Sequence, residues 1–221
     1  MDKNYHQSDS YRQKQIEDYF SSNGTAKLHL GCGINRYDGW LNTDIAPDIC
    51  KLGAVYMDAG ASFPFPDDSF DYVYSEHLIE HLSYAQAVNM LRECHRVLKP
   101  SGVIRIATPD IRFLIDLYQN PEKPMNKAYI KWSANGGGGS PALPEHAVFV
   151  INKFHIAWGH QFIYDQETLS HLMQENGFSH IRRCEIGEST EPALKNVEGH
   201  FKYMPYDFYR LETMILEGLN V

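Results

Sequence analysis

Leu28-His29-Leu30-Gly31-Cys32-Gly33, with Leu41-Asn42-Thr43-Asp44 just beyond it, decides how the chain reads. Leu28 to Leu30 is short, apolar and alternating, and runs straight into glycine. That is the pattern of a buried strand ending in a tight turn. Gly31 and Gly33 carry no side chain, so a ligand can approach the backbone closely there. Trp40-Leu41-Asn42-Thr43 reads as a second strand ending at Asp44, whose carboxylate can accept two hydrogen bonds from vicinal ribose hydroxyls. A third strand, Ala54-Val55-Tyr56-Met57, ends at Asp58, placed to take an adenine amino group. A fourth, Phe70-Asp71-Tyr72-Val73-Tyr74, ends at Ser75.

Outward from this core, helices alternate with strands. Upstream, Tyr11 to Phe20 reads as a helix within an N-terminal extension, residues 1–24. Downstream, Ser83-Tyr84-Ala85-Gln86 has capping-box spacing, and Val88, Leu91, Cys94, Val97 and Leu98 follow one helical face. Pro100-Ser101-Gly102 ends that helix, and Val103 to Ala107 is a fifth strand. Asp110 caps a helix bearing Ile111, Leu114, Ile115 and Tyr118. Residues 121–161 read as irregular, with a mobile loop at Gly136-Gly137-Gly138-Gly139-Ser140. Asp165 caps another helix, and Gly177 suits its left-handed exit. Strand-like segments follow at Ile181 to Ile186 and near Leu211 to Glu217. This order predicts an α/β fold with a mostly parallel sheet, whose ligands bind beyond the carboxyl ends of the strands. The 121–161 insertion after the fifth strand falls near that edge and is expected to act as a lid.

Composition narrows the function. The chain has 221 residues, which predicts one domain over 1–221. Apolar residues make up 43% and charged residues 22%, which excludes wholesale disorder. A formal net charge of −8 repels a phosphate backbone or an anionic membrane on average, so neither nucleic acid nor membrane is an expected partner. No apolar run is long enough for a spanning helix, and Met1 to Ser10 lacks a signal-peptide core. Cys32, Cys50, Cys94 and Cys184 form no Cys-x-x-Cys pair, so reduced thiols and a cytoplasmic location are expected.

The sequence resembles the class I S-adenosylmethionine-dependent methyltransferases, most closely their type-11-like group. The matching pieces, in family order, are LHLGCG (Leu28–Gly33), Asp44 in LNTD, Asp58-Ala59, FPDDSFD (Phe65–Asp71), YVYSEHLIEHL (Tyr72–Leu82), ECHRVLKPSG (Glu93–Gly102) and DQETLSHLMQENGF (Asp165–Phe178). The resemblance implies a Rossmann-like sandwich with a seven-stranded, mostly parallel sheet and an antiparallel C-terminal strand. It implies S-adenosylmethionine as methyl donor. Gly31, Cys32 and Gly33 would face its methionine portion and Asp44 its ribose. Asp58 and Ala59 would mark the adenine end, and Ser75 and Glu76 would lie close to the sulfonium. Two departures stand out. Asn35 occupies the place of the usual third glycine, and tolerates left-handed geometry better than most residues. Residues 34–43 are too few for the usual first crossover helix, so Asn35 to Gly39 is expected to be a loop. The missing glycine and the early acidic residue argue against a nicotinamide cofactor.

Methyl transfer to oxygen or nitrogen can need a base, and histidine suits that task. The densest cluster is Glu76-His77-Leu78-Ile79-Glu80-His81. If helical, it places His77, Glu80 and His81 on one face. Three readings stay open: active-site lining, a divalent metal site, or structural hydrogen bonding. His77-x-x-Glu80-His81 also matches an inverted zinc-protease pattern, which leaves the glycine turn unexplained. The lid supplies His146, His155, Trp158, His160 and Tyr164, and His160 resembles a recurring position in the nearest relatives. His77, His81, His155 and His160 are the candidate catalytic residues. Tyr203, Tyr206 and Tyr209 are either pocket lining or surface packing. The expected function is methylation of O or N on a small molecule, such as a sugar or secondary metabolite, by a monomer or homodimer. The alternatives are a non-catalytic cofactor-binding module and a protein or RNA methyltransferase.

Overall fold

The computed structural model describes residues 8–139 and 141–221. Residues 1–7 of the expected N-terminal extension, and Ser140 of the glycine run, lie outside the described residues. Among the described residues, seven strands form one sheet: β1 (Lys27–Leu30), β2 (Leu41–Asp44), β3 (Val55–Tyr56), β4 (Phe70–Glu76), β5 (Leu98–Pro109), β6 (Phe178–Cys184) and β7 (Thr213–Asn220). Their order is β3-β2-β1-β4-β5-β7-β6. Neighbours are parallel from β3 across to β5, and β7 runs antiparallel to both β5 and β6. The expected α/β sandwich is therefore present. β5 is longer than its apolar run because Leu98 pairs with Phe70 ahead of a register shift. Glu212 and Leu211, read as strand, close a helix instead, and β7 begins at Thr213.

Several of the helices start where side-chain caps satisfy their free amides. Ser8 Oγ accepts from Tyr11 N at 3.3 Å and opens α1 (Asp9–Ser22). A short α2 (Pro47–Lys51) links β2 to β3. Ser83 and Gln86 form a capping box at α3 (Tyr84–Val97), which buries Ala87, Met90, Leu91, Cys94 and Val97. Asp110 caps α4 (Ile111–Gln119) through Arg112 N at 3.0 Å. The main core lies between the sheet and helices that include α1 and α3, with Leu28, Leu30, Phe70, Val73, Leu91 and Ile106 among its members. Each such side chain contributes about 1.5–3 kcal/mol by leaving water. Among the described residues no helix is long and apolar enough to cross a membrane. All four cysteines are free thiols, with Cys32, Cys50 and Cys94 buried.

Residues 121–161 differ from the irregular lid that the sequence suggests. They contain α5 (Pro124–Ala134) and α6 (Ala147–Ile156). With α4 these helices enclose a second core of Phe113, Leu114, Leu117, Tyr129, Ile130, Val150 and Phe154. Pro124 in the first turn of α5 is a helix-start signal that the surrounding aromatics and prolines mask. Val148, Val150 and Ile151 in α6 are β-branched and lack a clean helical period. The glycine run is a defined turn. A Cβ at Gly137 would come within 2.4 Å of the Trp132 ring, so only glycine fits there. The Lys153 ammonium donates to Gly137 O, and Trp158 Nε1–H donates to Gly138 O at 3.3 Å. The chain then continues through α7 (Gln166–Glu175), capped by Asp165, and α8 (Tyr206–Glu212).

Candidate functional site

The sheet order reverses between β1 and β4, which opens a crevice at their carboxyl ends. A cavity of about 600 Å³ lies there. Its lining includes four main segments, with His29 of β1 and Pro109 at the end of β5 beside them. The four are the glycine turn from Gly31 to Asn35, the exit of β4, the cover built from α5 and α6, and the C-terminal stretch bearing His200, Tyr203, Met204 and Glu212.

The turn is shaped by left-handed backbone at Gly31 (φ 60°) and Gly33 (φ 51°). A Cβ on Gly31 would lie 2.8 Å from Leu78 Cδ1, whereas one on Gly33 would meet nothing within 4 Å. Gly31 thus serves packing, and Gly33 faces open space. Asn35 is not left-handed. It needs none of the freedom of the glycine it replaces, and its Oδ1 accepts from Tyr203 OH at 3.1 Å. No helix separates β1 from β2, as the short spacing requires. Asp44 at the end of β2 accepts from Gly33 N (2.9 Å) and from Ala46 N (2.7 Å), one bond to each carboxylate oxygen. The Cys32 thiol is buried beside that carboxylate, and burial, then the Asp44 charge, push its pKa up to about 12. Asp58 Oδ1 accepts from Gly60 N at 2.8 Å, and Ala59 is buried. Asp44, Asp58 and Ala59 lie outside the cavity lining, along the line of strand ends that runs from β1 towards β3.

Ser75 is buried within β4, paired with Leu30 on one side and Ile106 on the other. Glu76 lines the cavity, but its carboxylate is committed to the C-terminal segment. It accepts from Gly199 N (2.9 Å), His200 N (3.0 Å) and Tyr209 OH (2.7 Å). The next residue overturns the helical reading of Glu76 to His81. His77 is left-handed (φ 48°), and only Ile79–His81 form a helical turn, of the tight 3₁₀ kind. His77 and His81 therefore point to opposite sides. His77 stacks on His200 with ring centroids 4.1 Å apart. His81 meets His160 edge-on, at 4.8 Å.

Glu80, fully buried, sits between the two pairs. Its Oε2 accepts from Thr108 Oγ1 (2.9 Å) and its Oε1 lies 3.1 Å from His77 Nδ1. Burial opposes charge on both partners. The contact between them, and for His77 the further charges of Glu212 and Glu76, reverse that, so His77 is raised and Glu80 lowered. Burial holds the His200 pKa down to about 3, helped by the neighbouring His77 charge. His160 is also lowered by burial, and its Nδ1 lies 2.8 Å from Phe154 O. A backbone carbonyl can only accept, so Nδ1 carries the proton and Nε2 keeps its lone pair.

Three of the four candidate catalytic histidines, His77, His81 and His160, thus share the cavity. His155 does not. It follows Phe154, which fills the inner face of α6, and the helical turn carries His155 to the solvent face. Tyr203 lines the cavity, Tyr206 is exposed and Tyr209 is buried.

The sequence reading missed several lining residues. His29 is 2% exposed and stacks on Tyr37 and Tyr74. Lys153 is buried against Ser133 Oγ (3.2 Å), and burial lowers its pKa. Glu212 accepts from Tyr129 OH, and burial raises its pKa to about 7 despite the His77 charge and that hydrogen bond. His200 is fixed from behind. Arg105, wholly buried in β5, binds Glu198 (2.6 Å) and Glu217 (2.5 Å), and so anchors the segment that carries His200. A single unpaired signal was visible, an arginine inside an apolar strand.

Residues 28–106 match the family model described as "Methyltransferase domain". No curated protein sequence matches the chain at a significant level. Among solved structures, the chain is similar to a methyltransferase from Archaeoglobus fulgidus described as S-adenosylmethionine-dependent (18% identity, 94% of this chain and 91% of that one, TM-score 0.50). It is also similar to one from Thermotoga maritima described as a possible histamine N-methyltransferase (13%, 95% and 89%, TM-score 0.54). A third, from Mesorhizobium loti and described as S-adenosylmethionine-dependent, gives 16%, 93% and 97%, TM-score 0.51. The matched residues hold the glycine turn, both strand-end aspartates and the β4 exit, and the sheet around them has the order described above; residues 28–106 are thus similar to a methyltransferase domain, and the chain shares the fold of these S-adenosylmethionine-dependent methyltransferases.

Proposed function

We propose that the chain transfers the methyl group of S-adenosylmethionine to an oxygen or nitrogen of a small molecule held beneath the α5–α6 cover. One observation carries this reading: the glycine turn and an imidazole with a free Nε2, that of His160, open into the same cavity of about 600 Å³. Pockets of roughly 300–1,000 Å³ suit drug-sized ligands, so a cavity of this size that receives the methionine end of the donor suits a small acceptor beside it. The donor fits the residues present. Gly33 leaves space where a side chain would stand, and Asp44 keeps one lone pair on each oxygen for ribose hydroxyls. Asp58 marks the adenine end.

The cofactor supplies a methyl carbon on positive sulfur. The chain's own residues align the acceptor, exclude water and accept its proton. Alignment alone is worth up to about 7–11 kcal/mol in favourable cases. His160 Nε2, with His81 beside it, is the proposed proton acceptor. The apolar lining from Tyr129, Trp132, Phe154 and Trp158 selects acceptors with an aromatic or aliphatic body. The net charge of −8 disfavours RNA.

The test is transfer of a labelled methyl group from S-adenosylmethionine to a small-molecule extract. Label in a low-mass product, with a deficit of at least tenfold in His160→Ala, supports the reading. Binding of the donor without any transfer would favour the non-catalytic module. Label found only in protein would favour a macromolecular acceptor.

A further inference from the structure

We propose that His77, His200 and Glu212 form a binding site for a divalent transition-metal ion of the zinc class, facing the acceptor side of the cavity. The inference does not rest on methyl transfer. The three come from separate elements, the exit of β4, the turn His200–Tyr203 and the last residue of α8. Each offers one ligand atom, and these atoms lie within 4.8 Å of one another. A tetrahedral ion with bonds of about 2.1 Å holds its ligands about 3.4 Å apart, so atoms within 4.8 Å of one another need draw together only by about 1 Å to close on an ion.

Outer partners orient the donors as metal sites require. Glu80, itself held by Thr108, lies 3.1 Å from His77 Nδ1 and favours the proton there. His77 Nε2 then faces away from Glu80 and lies 3.4 Å from the Thr213 hydroxyl. Tyr129 OH fixes Glu212. The His200 backbone amide is pinned to Glu76, while its ring nitrogens have no hydrogen-bond partner among the described residues. The left-handed backbone of His77 is a cost that a β-strand exit does not impose. It turns this ring towards His200 and Glu212, away from the cover. Two imidazoles and one carboxylate suit zinc, cobalt, manganese or iron, whereas magnesium and calcium prefer all-oxygen shells. All three residues line the cavity, so the remaining coordination positions open onto it.

A second cluster, Glu80, His81 and His160, competes for the assignment. Its carboxylate is already shared between Thr108 and His77. The experiment separates the two. The full chain is stripped with chelator and titrated with zinc by calorimetry, and with cobalt by visible absorption, in the absence of S-adenosylmethionine. Stoichiometric zinc and cobalt d–d bands are expected. His200→Ala and Glu212→Gln should each weaken binding by about 100-fold or more, while His160→Ala leaves it within about threefold. Glu212→Gln keeps the Tyr129 contact, so it remains informative if His200→Ala unfolds. Absence of stoichiometric binding overturns the proposal. So does binding that survives both substitutions, or that is lost instead in His160→Ala. None of these outcomes depends on donor binding or turnover.

Discussion

Asp44→Ala tests the cofactor assignment most directly. Each carboxylate oxygen already accepts one backbone amide, from Gly33 and from Ala46. One lone pair remains on each, enough for two ribose hydroxyls. Hydrogen bonds to a charged group are worth about 1.5–3 kcal/mol each. Desolvating the carboxylate offsets part of that, leaving about 2–4 kcal/mol, or roughly 30- to 1,000-fold in Kd. The substitution also frees the Gly33 amide, so a weaker Kd alone does not separate ribose contact from a loosened turn. A cycle does. Calorimetry would compare S-adenosylhomocysteine with its 2′,3′-dideoxyribose analogue on both proteins. In the unchanged protein the analogue should bind weaker by the full factor. In Asp44→Ala the two ligands should bind alike. If the analogue loses the same factor on both proteins, Asp44 does not hold the ribose and the donor lies elsewhere along the strand ends.

Gly33→Val forces a branched side chain into a left-handed position that opens on empty space. It should cost about 1–3 kcal/mol of stability and reduce donor affinity more than tenfold, as read by thermal unfolding with and without S-adenosylhomocysteine. Burial lowers the His29 pKa from 6.5 to about 4, so the folded protein keeps this ring neutral while the unfolded chain protonates it. Its contribution is whole above about pH 6.5 and is lost as pH falls towards 4, by about 3 kcal/mol. Urea unfolding from pH 7 to 4 should show that slope, and His29→Phe, which retains the stack on Tyr37 and Tyr74, should flatten it. Arg105→Leu leaves Glu198 buried without its partner and should cost about 3–5 kcal/mol. Adding Glu198→Gln should restore part of that loss, and equal urea midpoints for the single and double variants would contradict a coupled pair.

What could be read from the sequence was what neighbouring residues decide among themselves. The glycine turn, the strands leading to Asp44, Asp58 and Ser75, and the helix starts at Ser83, Asp110 and Asp165 are each written within a few positions. The cavity's other walls are not local. His200 reaches the site because Glu76, at the far end of β4, binds its amide, and because Arg105 holds Glu198 two residues before it. Glu212 arrives because β7 pairs antiparallel with β5, which brings the end of α8 back over the crevice. No periodicity in residues 185–212 carries that information.

The run Glu76 to His81 shows the same limit within six residues. Its spacing fits one helical face, yet His77 N bonds to Ala107 O at 2.9 Å, so the β4–β5 ladder extends one residue further. The backbone must then turn sharply, and the left-handed His77 makes that turn. Two histidines that a helix would have placed together are divided between the C-terminal segment and the cover. Glu80 alone stays in reach of both, with His77 at 3.1 Å and the cover's Gln161 amide bonded to its backbone oxygen at 2.7 Å. One buried residue therefore joins the two sides of the cavity. Glu80→Gln should disturb His77 electrostatics while leaving the cover docked, because the backbone bond to Gln161 does not depend on the side chain.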